Sequence, residues 1–308
     1  MKAVVSGAAG FIGSQLVDAL VDRGYRVIGI DRQSRVPGAG DAHRALDLAD
    51  DPKETGLADL VADADLVFHL AARPGVRGSG PLVERLRWRD NVVASRNLLA
   101  VVPVGTPVVA TSSSSVYGGS LARHDGFVAS KENDPLFPRG GYARSKLAME
   151  RICESHRARG GVVAVVRPFT VAGEGQRADM AFSIWLDALR RGRPLEIFGS
   201  ATRSRDITDI RDVVEGIVRA GERRVNETVN LGTGVGHRLV DMARALMDVS
   251  GLDGDISVQQ VDSGEVDATL ADTTRCQRLL GFTPRTDLTA LLERQIEASV
   301  PLPAMAAT

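Results

Sequence analysis

The feature that most constrains this chain is a glycine-rich run near its start. Gly7-Ala8-Ala9-Gly10-Phe11-Ile12-Gly13 follows an apolar strand pattern at Ala3–Ser6 and opens an amphipathic stretch, Phe11–Arg23. Glycines between a strand and a helix allow a tight turn. They also let unpaired N–H groups at the helix start approach an anion, above all the pyrophosphate of a dinucleotide. A purely structural turn is the plain alternative, and three glycines in this context argue against it. Gly7, Gly10, Phe11, Ile12 and Gly13 are therefore candidate cofactor residues.

A second apolar run, Arg26–Asp31, ends on an acid eighteen residues after Gly13. A carboxylate there accepts hydrogen bonds from the adenosine ribose hydroxyls and repels a 2′-phosphate, which favours NAD over NADP. Arg32 is the counterweight, since an arginine just past this strand suits a phosphate.

Further apolar runs at Leu66–His69, Pro107–Thr111 and Val162–Arg167 alternate with helical periodicity at Pro81–Val101 and Tyr142–Arg159. That alternation predicts an α/β fold: a Rossmann-like, doubly wound parallel sheet with right-handed crossovers. Beyond Pro168 the order becomes irregular, with a helix near Met180–Arg191 and short strands at Leu195–Phe198 and Arg205–Ile207. We expect a cofactor domain over 1–167, its sheet completed by later segments, a smaller mixed α/β substrate lobe over 168–300, and a frayed tail over 301–308.

A net charge of −1 argues against a nucleic-acid surface, and Arg190, Arg191 and Arg193 read as a solvated helix end. Cys153 and Cys276, the two cysteines, have no metal-ligand spacing. No metal and a reducing, cytoplasmic setting are the expectation, with no secretion leader and no membrane span.

Tyr142-Ala143-Arg144-Ser145-Lys146 sets a phenol and an ammonium four residues apart, on one helix face. A nearby cation and a bound nicotinamide would lower the tyrosine pKa and make a phenolate available as a general base. The spacing alone is weak, but a serine run, Thr111-Ser112-Ser113-Ser114-Ser115-Val116-Tyr117-Gly118, strengthens it. That run stands at the C-terminal end of a predicted parallel strand, where open α/β sheets bind ligands, and its hydroxyls suit a sugar. His69, Cys153 and Trp185 read as structural, and Asp209 and Asp212 as helix-capping charges.

With these residues in hand the chain resembles the extended short-chain dehydrogenases/reductases of the NAD-dependent epimerase/dehydratase type over nearly its whole length. Within them it is most similar to UDP-glucuronate 4-epimerases. His69-Leu70-Ala71-Ala72, Pro74-Gly75-Val76-Arg77, the serine run, Phe169-Thr170-Val171, Arg177-Ala178-Asp179-Met180 and Arg205-Asp206-Ile207-Thr208 occur in the expected order. The resemblance implies Tyr142 as base, Lys146 on the nicotinamide ribose and Ser113 against the sugar 4-OH. It implies Asp47 and Leu48 beside the adenine, Leu70, Ala71, Ala72 and Pro168 along the cofactor, and Asn91 as a supporting cofactor-side residue. On the sugar nucleotide it implies Arg77, Met180 and Glu196, with Phe198 at the nucleobase, Arg205 on the diphosphate and Glu265 on the nucleotide ribose. A homodimer through helices 81–101 and 142–159 is the matching expectation.

Dehydratases of this family carry an Asp-Glu pair where Ser114 and Ser115 stand here, and decarboxylases a glutamate at Ser115, so simple 4-epimerisation through a 4-keto sugar is the leading reading. Ser114, Ser115, Thr170 and Arg177 surround a sugar carboxylate in the resembling epimerases, which points to UDP-glucuronate giving UDP-galacturonate. The pattern departs at Pro168, Ala172, Ala178 and Ile207, where relatives commonly have phenylalanine, tyrosine, proline and phenylalanine; these smaller or different side chains bear on the sugar pocket. A decarboxylase, another nucleotide-sugar 4-epimerase or a 4-ketoreductase stays open as an alternative. So does a non-catalytic NAD-binding sensor, against which the intact Tyr142 and Lys146 argue.

Overall fold

The computed structural model describes residues 1–33, 42–75, 80–124, 126–259 and 266–299. Seven parallel strands make the main sheet: β1 (Lys2–Ser6), β2 (Arg26–Asp31), β3 (Ala42–Ala45), β4 (Leu66–His69), β5 (Val108–Thr111), β6 (Val163–Pro168) and β7 (Thr228–Leu231). Their spatial order is β3-β2-β1-β4-β5-β6-β7. The chain reverses direction across the sheet between β1 and β4, and that switch opens a crevice at the strands' C-terminal ends.

Period-two alternation sorts the strands' side chains to two faces. Ala3, Val5, Phe68, Val109 and Val166 pack against helices Phe11–Asp22 and Ile210–Glu222. Val4, Ile30, Val67, Val108 and Val165 pack on the other face against Leu98, Leu99, Met149 and Cys153. Burial on both faces explains why the inner strands read as continuous apolar runs.

Two strands escape the sequence pattern. β3 is a half-exposed edge with the polar sequence Ala42-His43-Arg44-Ala45. β7 is a four-residue run beyond the irregular region that returns to pair with β6. A second correction concerns Pro81–Val101, predicted as one helix. It is two α-helices, Pro81–Trp88 and Ala94–Val101, joined by a π-turn at Arg89–Val93 in which the Ala94 N–H reaches back to the Arg89 carbonyl. Asp90, Asn91 and Val92, three residues in succession, are all buried there.

The later part of the chain builds a separate apolar cluster from Phe182, Trp185, Leu186, Leu195, Ile207 and Leu246 among others. Helix Ala181–Arg190 precedes strand Leu195–Phe198, which pairs with Ile256–Gln259. Strand Ser204–Asp209 pairs with Thr170–Ala172 and Gly236–Arg238. Among the described residues no helix is long and apolar enough to cross a membrane.

Candidate active site

A cleft of about 1160 Å³ runs along the C-terminal ends of the strands and under the later segments. At one end lies the glycine turn. Gly7 has φ +74°, and a Cβ there would stand 2.6 Å from the Ala71 nitrogen. A Cβ on Gly13 would come within 2.0 Å of the Gly7 carbonyl oxygen. Only glycine permits this close crossing of turn, β4 loop and helix start. Gly10, Phe11, Ile12, Leu70, Ala71 and Ala72 line the cleft beside it.

Asp31, at the end of β2, accepts hydrogen bonds from the N–H groups of Ala9 (3.1 Å) and Gln33 (3.2 Å), so its carboxylate is fastened to the glycine turn while lining the cleft. Arg32 leans the other way, with its guanidinium 3.8 Å from Asp47 and 3.4 Å from Asp90. Arg89 also bonds Asp47 (2.9 Å), and Arg73 bonds Asp90 (2.8 Å). Burial alone would raise the Asp47 carboxyl, but the Ala49 N–H and Arg89 outweigh it and hold it below the usual range. Asp47 and Leu48 line the cleft next to this network.

In the middle, β5 delivers the serine run and helix Gly140–Ala158 delivers Tyr142 and Lys146. Ser113 begins a single 3₁₀ turn, Ser114–Tyr117, its hydroxyl accepting from the Ser115 N–H (3.2 Å). Tyr142 and Ser113 both line this part of the cleft, and the serine hydroxyl acts on the phenol in favour of its phenolate form. The Lys146 Nζ donates to the Thr111 carbonyl (2.7 Å), and burial pulls its pKa down to about 8. Burial pushes the Tyr142 phenol up, opposed by Ser113 and by the charges of Arg177 and Arg87. The lowered tyrosine expected from the motif is thus not a property of the protein alone, because desolvation of the phenolate dominates.

Beneath this floor Ser112 bonds Glu150, whose carboxylate takes a two-pronged contact from Arg167 (2.9 and 2.7 Å). Arg167 also donates to the Tyr117 hydroxyl (2.8 Å), which bonds Asn230 (2.7 Å). Burial pushes Tyr117 up to about 12, so this second tyrosine of the region is a structural donor. His69 is likewise structural: its ring nitrogens lie 2.8 Å from Ser6 Oγ and 2.7 Å from Ser95 Oγ, and burial takes it down to about 3.

The family model for the NAD dependent epimerase/dehydratase family matches residues 3–232. The chain belongs to that family. As an NAD dependent epimerase/dehydratase it is 34% identical to a Bacillus subtilis protein named as an uncharacterised UDP-glucose epimerase, YtcB, over 96% of this chain and 97% of that one. The solved structure of UDP-glucuronic acid 4-epimerase from Bacillus cereus, in complex with UDP-glucuronic acid and NAD, is similar with a TM-score of 0.86 at 30% identity, covering 97% of this chain and 98% of that chain. MoeE5, solved with UDP-glucose and NAD, gives a TM-score of 0.86 at 35% identity over 97% of this chain and 98% of that chain; it has also been solved with UDP-glucuronic acid.

The glycine cradle, with no room for a Cβ at Gly7 or Gly13, and the anchored Asp31 fit the family's NAD. At the far end of this family member's cleft stand Ser114, Ser115, Pro168, Thr170, Arg177, Met180, Glu196, Phe198 and Arg205. The guanidinium of Arg177 is engaged with Asp179 through two bonds, 2.9 and 3.0 Å. Arg205 sits on a strand braced by buried Asp206, which accepts from Thr233, Gly234 and Ala271.

Of the expected site residues, Asn91 alone among the described ones does not line the cleft. Arg77 and Glu265 lie outside the described residues. Asn91 is buried behind the wall: the π-turn aims it into the seam between helices, where it accepts from the Arg73 N–H (2.6 Å) and donates to Ser145 (2.8 Å). Sequence reasoning missed other residues of the wall. Trp185, read as structural, is buried with its Nε1 on the Glu196 carbonyl (3.0 Å) and also lines the cleft. Asp179 and Asp90 line it too. The signal for Asp179 was in the sequence, an acid two residues from the arginine expected to bind an anion.

Proposed function

We propose that this enzyme interconverts the C4 epimers of a nucleotide sugar, with UDP-glucuronate and UDP-galacturonate as the pair. The observation that carries the reading is a single cleft lined by Tyr142, Lys146, Ser113 and, beyond them, Ser114, Ser115, Thr170 and Arg177. In this reading the glycine turn, Asp31, Asp47, Leu48 and Leu70–Ala72 hold NAD, and Lys146 takes its nicotinamide ribose. Bound NAD supplies a hydride acceptor and donor at C4 and is regenerated each turnover.

Tyr142 removes the 4-OH proton and later returns one, with Ser113 as hydrogen-bond partner of that oxygen. Met180, Glu196, Phe198 and Arg205 bracket the nucleotide. A 4-ketone next to a C5 carboxylate is a β-keto acid and loses CO₂ readily. Thr170, Ser114, Ser115 and Arg177 therefore do more than bind the carboxylate, because they also keep it out of line with the ketone's π-system. Absence of an acid at positions 114 and 115 favours epimerisation over dehydration.

One observation favours a neutral sugar instead: the Arg177 fork is filled by Asp179, which a glucuronate carboxylate must displace. Incubation of the purified protein with UDP-glucuronate, UDP-glucose and UDP-N-acetylglucosamine, followed by NMR, tests both. Inversion at C4 of the acid without CO₂ release is the expected result. Preferential turnover of UDP-glucose would transfer the assignment to a neutral-sugar epimerase, and CO₂ release to a decarboxylase. A homodimer through helices Pro81–Trp88 and Gly140–Ala158, where Leu82 and Trp88 stand exposed, and a reducing cytoplasmic setting that suits the free Cys153 and Cys276, belong to the same proposal. Light scattering checks the first.

A further inference from the structure

Between strand Thr170–Ala172 and helix Ala181–Arg190 runs the loop that brings Gln176, Arg177 and Met180 to the cleft. Two glycines with positive φ open it, Gly173 at +138° and Gly175 at +80°. Glycine leaves a chain many conformations, so a binding site carried on such a loop needs contacts that select one.

Glu174, the residue between those glycines, is not itself part of the cleft wall. Its carboxylate lies between two guanidiniums that come from 37 and 120 residues further along the chain. Arg211, at the start of helix Ile210–Glu222, holds one oxygen with Nε at 2.9 Å and Nη2 at 2.7 Å. Arg294, on the last helix, Leu288–Ala298, stands 3.5 Å from the other oxygen. Arg294 is in turn fixed by Asp209 and by the Ala290 carbonyl (3.0 Å), and Asp209 also accepts the Arg211 N–H (2.9 Å). Two acids and two arginines thus form one network, the setting in which an ion pair near the surface carries weight. Burial would raise the Glu174 carboxyl, but its own N–H and the two arginines outweigh it and hold it below the usual range.

The backbone is seated at the same place. The Gln15 amide donates to the Glu174 carbonyl (3.3 Å), and a Cβ on Gly173 would stand 2.6 Å from Ile210 Cγ2. At the loop's other end Gln176 Nε2 donates to Ser183 Oγ (2.9 Å). The bonds from Arg177 to Asp179 join two residues of the one loop, so that pair moves with the loop and does not fix its place.

We propose that Glu174 is a positioning residue for sugar-nucleotide recognition, an anchor outside the cleft whose two arginine contacts set the place of the loop that carries Arg177. The inference rests on the reading of Arg177 as a contact to the sugar carboxylate. It makes the last helix, which lines none of the cleft, a support of substrate binding. A part of the substrate that does not react is gripped equally before and during the reaction, so a displaced Arg177 appears in KM and spares kcat.

The test is steady-state kinetics of the NAD-loaded protein on UDP-glucuronate, with NAD affinity measured by calorimetry and folding by urea titration. Glu174→Gln should raise KM about tenfold, hold kcat within about twofold and leave NAD affinity unchanged. Glu174→Asp, which keeps the charge, should recover most of the loss. Arg211→Gln, on an exposed side chain, should move KM the same way by about threefold, and combining it with Glu174→Gln should be no worse than Glu174→Gln alone. In an Arg177→Ala background Glu174→Gln should add less than about twofold, because the side chain it positions is gone. An unmoved KM in folded Glu174→Gln overturns the proposal. So does a loss that falls on kcat, that Glu174→Asp shares in full, or that adds undiminished to Arg177→Ala, since each marks a merely structural residue. If Glu174→Gln fails to fold, Arg211→Gln decides, and an unmoved KM there overturns the proposal equally. Absent turnover of UDP-glucuronate, or an unmoved KM in Arg177→Ala, would remove the carboxylate reading and this inference with it; a raised KM in Arg177→Ala beside an unmoved one in Glu174→Gln removes only the role of Glu174.

Discussion

The two ends of the cleft are made of different material. The glycine-turn end is backbone: its shape comes from Gly7 and Gly13, where no Cβ fits, and its acid, Asp31, is tied to the turn through the Ala9 N–H. The far end is side chains projected from a loop and from the later strands: Thr170, Arg177, Glu196, Phe198 and Arg205. Backbone shape tolerates almost no substitution, whereas a side-chain wall can be rebuilt one residue at a time. The first end can therefore stay constant among relatives while the second changes sugar, which is why cofactor and substrate are legible to such different degrees.

Substitutions can break or sharpen that contrast. The largest effect should come at the boundary: Tyr142→Phe should lower turnover by ~10²–10⁴-fold while NAD binding, measured by calorimetry, stays intact. Joint loss of both would show the ends to be coupled. Next, Arg167→Met strands the Glu150 carboxylate beneath the floor shared by both ends, with about 3–5 kcal/mol lost in urea unfolding. Sugar preference should survive in the folded fraction, and an unchanged unfolding midpoint would contradict the network's structural role. At the side-chain end, Arg177→Ala should reduce kcat/KM for UDP-glucuronate by roughly ten- to hundredfold with little effect on UDP-glucose. Asp179→Asn, which frees the fork, should move the ratio the other way; equal penalties on both sugars from Arg177→Ala would end the carboxylate reading. Smallest should be Asp31→Ala, narrowing the preference for NAD over NADP without touching sugar selectivity. A shift in sugar preference there would erase the contrast between the ends.

What the sequence reveals follows the same line. Glycines at a strand–helix junction, the acid closing β2, and a phenol four residues before a lysine report fixed backbone geometry, and the structure assembles them around one cleft. The edge strand β3 was hidden because half-exposed Ala42-His43-Arg44-Ala45 carries no apolar alternation. β7 was hidden because its pairing with β6 spans some sixty residues, between Val165 and Thr228, and no local pattern encodes that. For Asn91 the resemblance implies a supporting place on the cofactor side, and its partners, the Arg73 N–H and Ser145, come into view only with the π-turn. Asp179 stands inside the quoted run Arg177–Met180, but its pairing with Arg177 is seen only in the fold.

That π-turn has a consequence of its own. With Ala94 bonded back to Arg89, one turn of the helix holds a residue more than an α-turn would, and this surplus buries Asp90 and Asn91 side by side. Each of the five residues from 89 to 93 can be exchanged singly without erasing the surplus; removing any one of them erases it. A deletion there would rewind the segment as plain α-helix and rotate everything on one side of it, parting Asp90 from Arg73 or Asn91 from Ser145. In this stretch the number of residues matters as well as their identity, and a change of length is a perturbation that no substitution scan would sample.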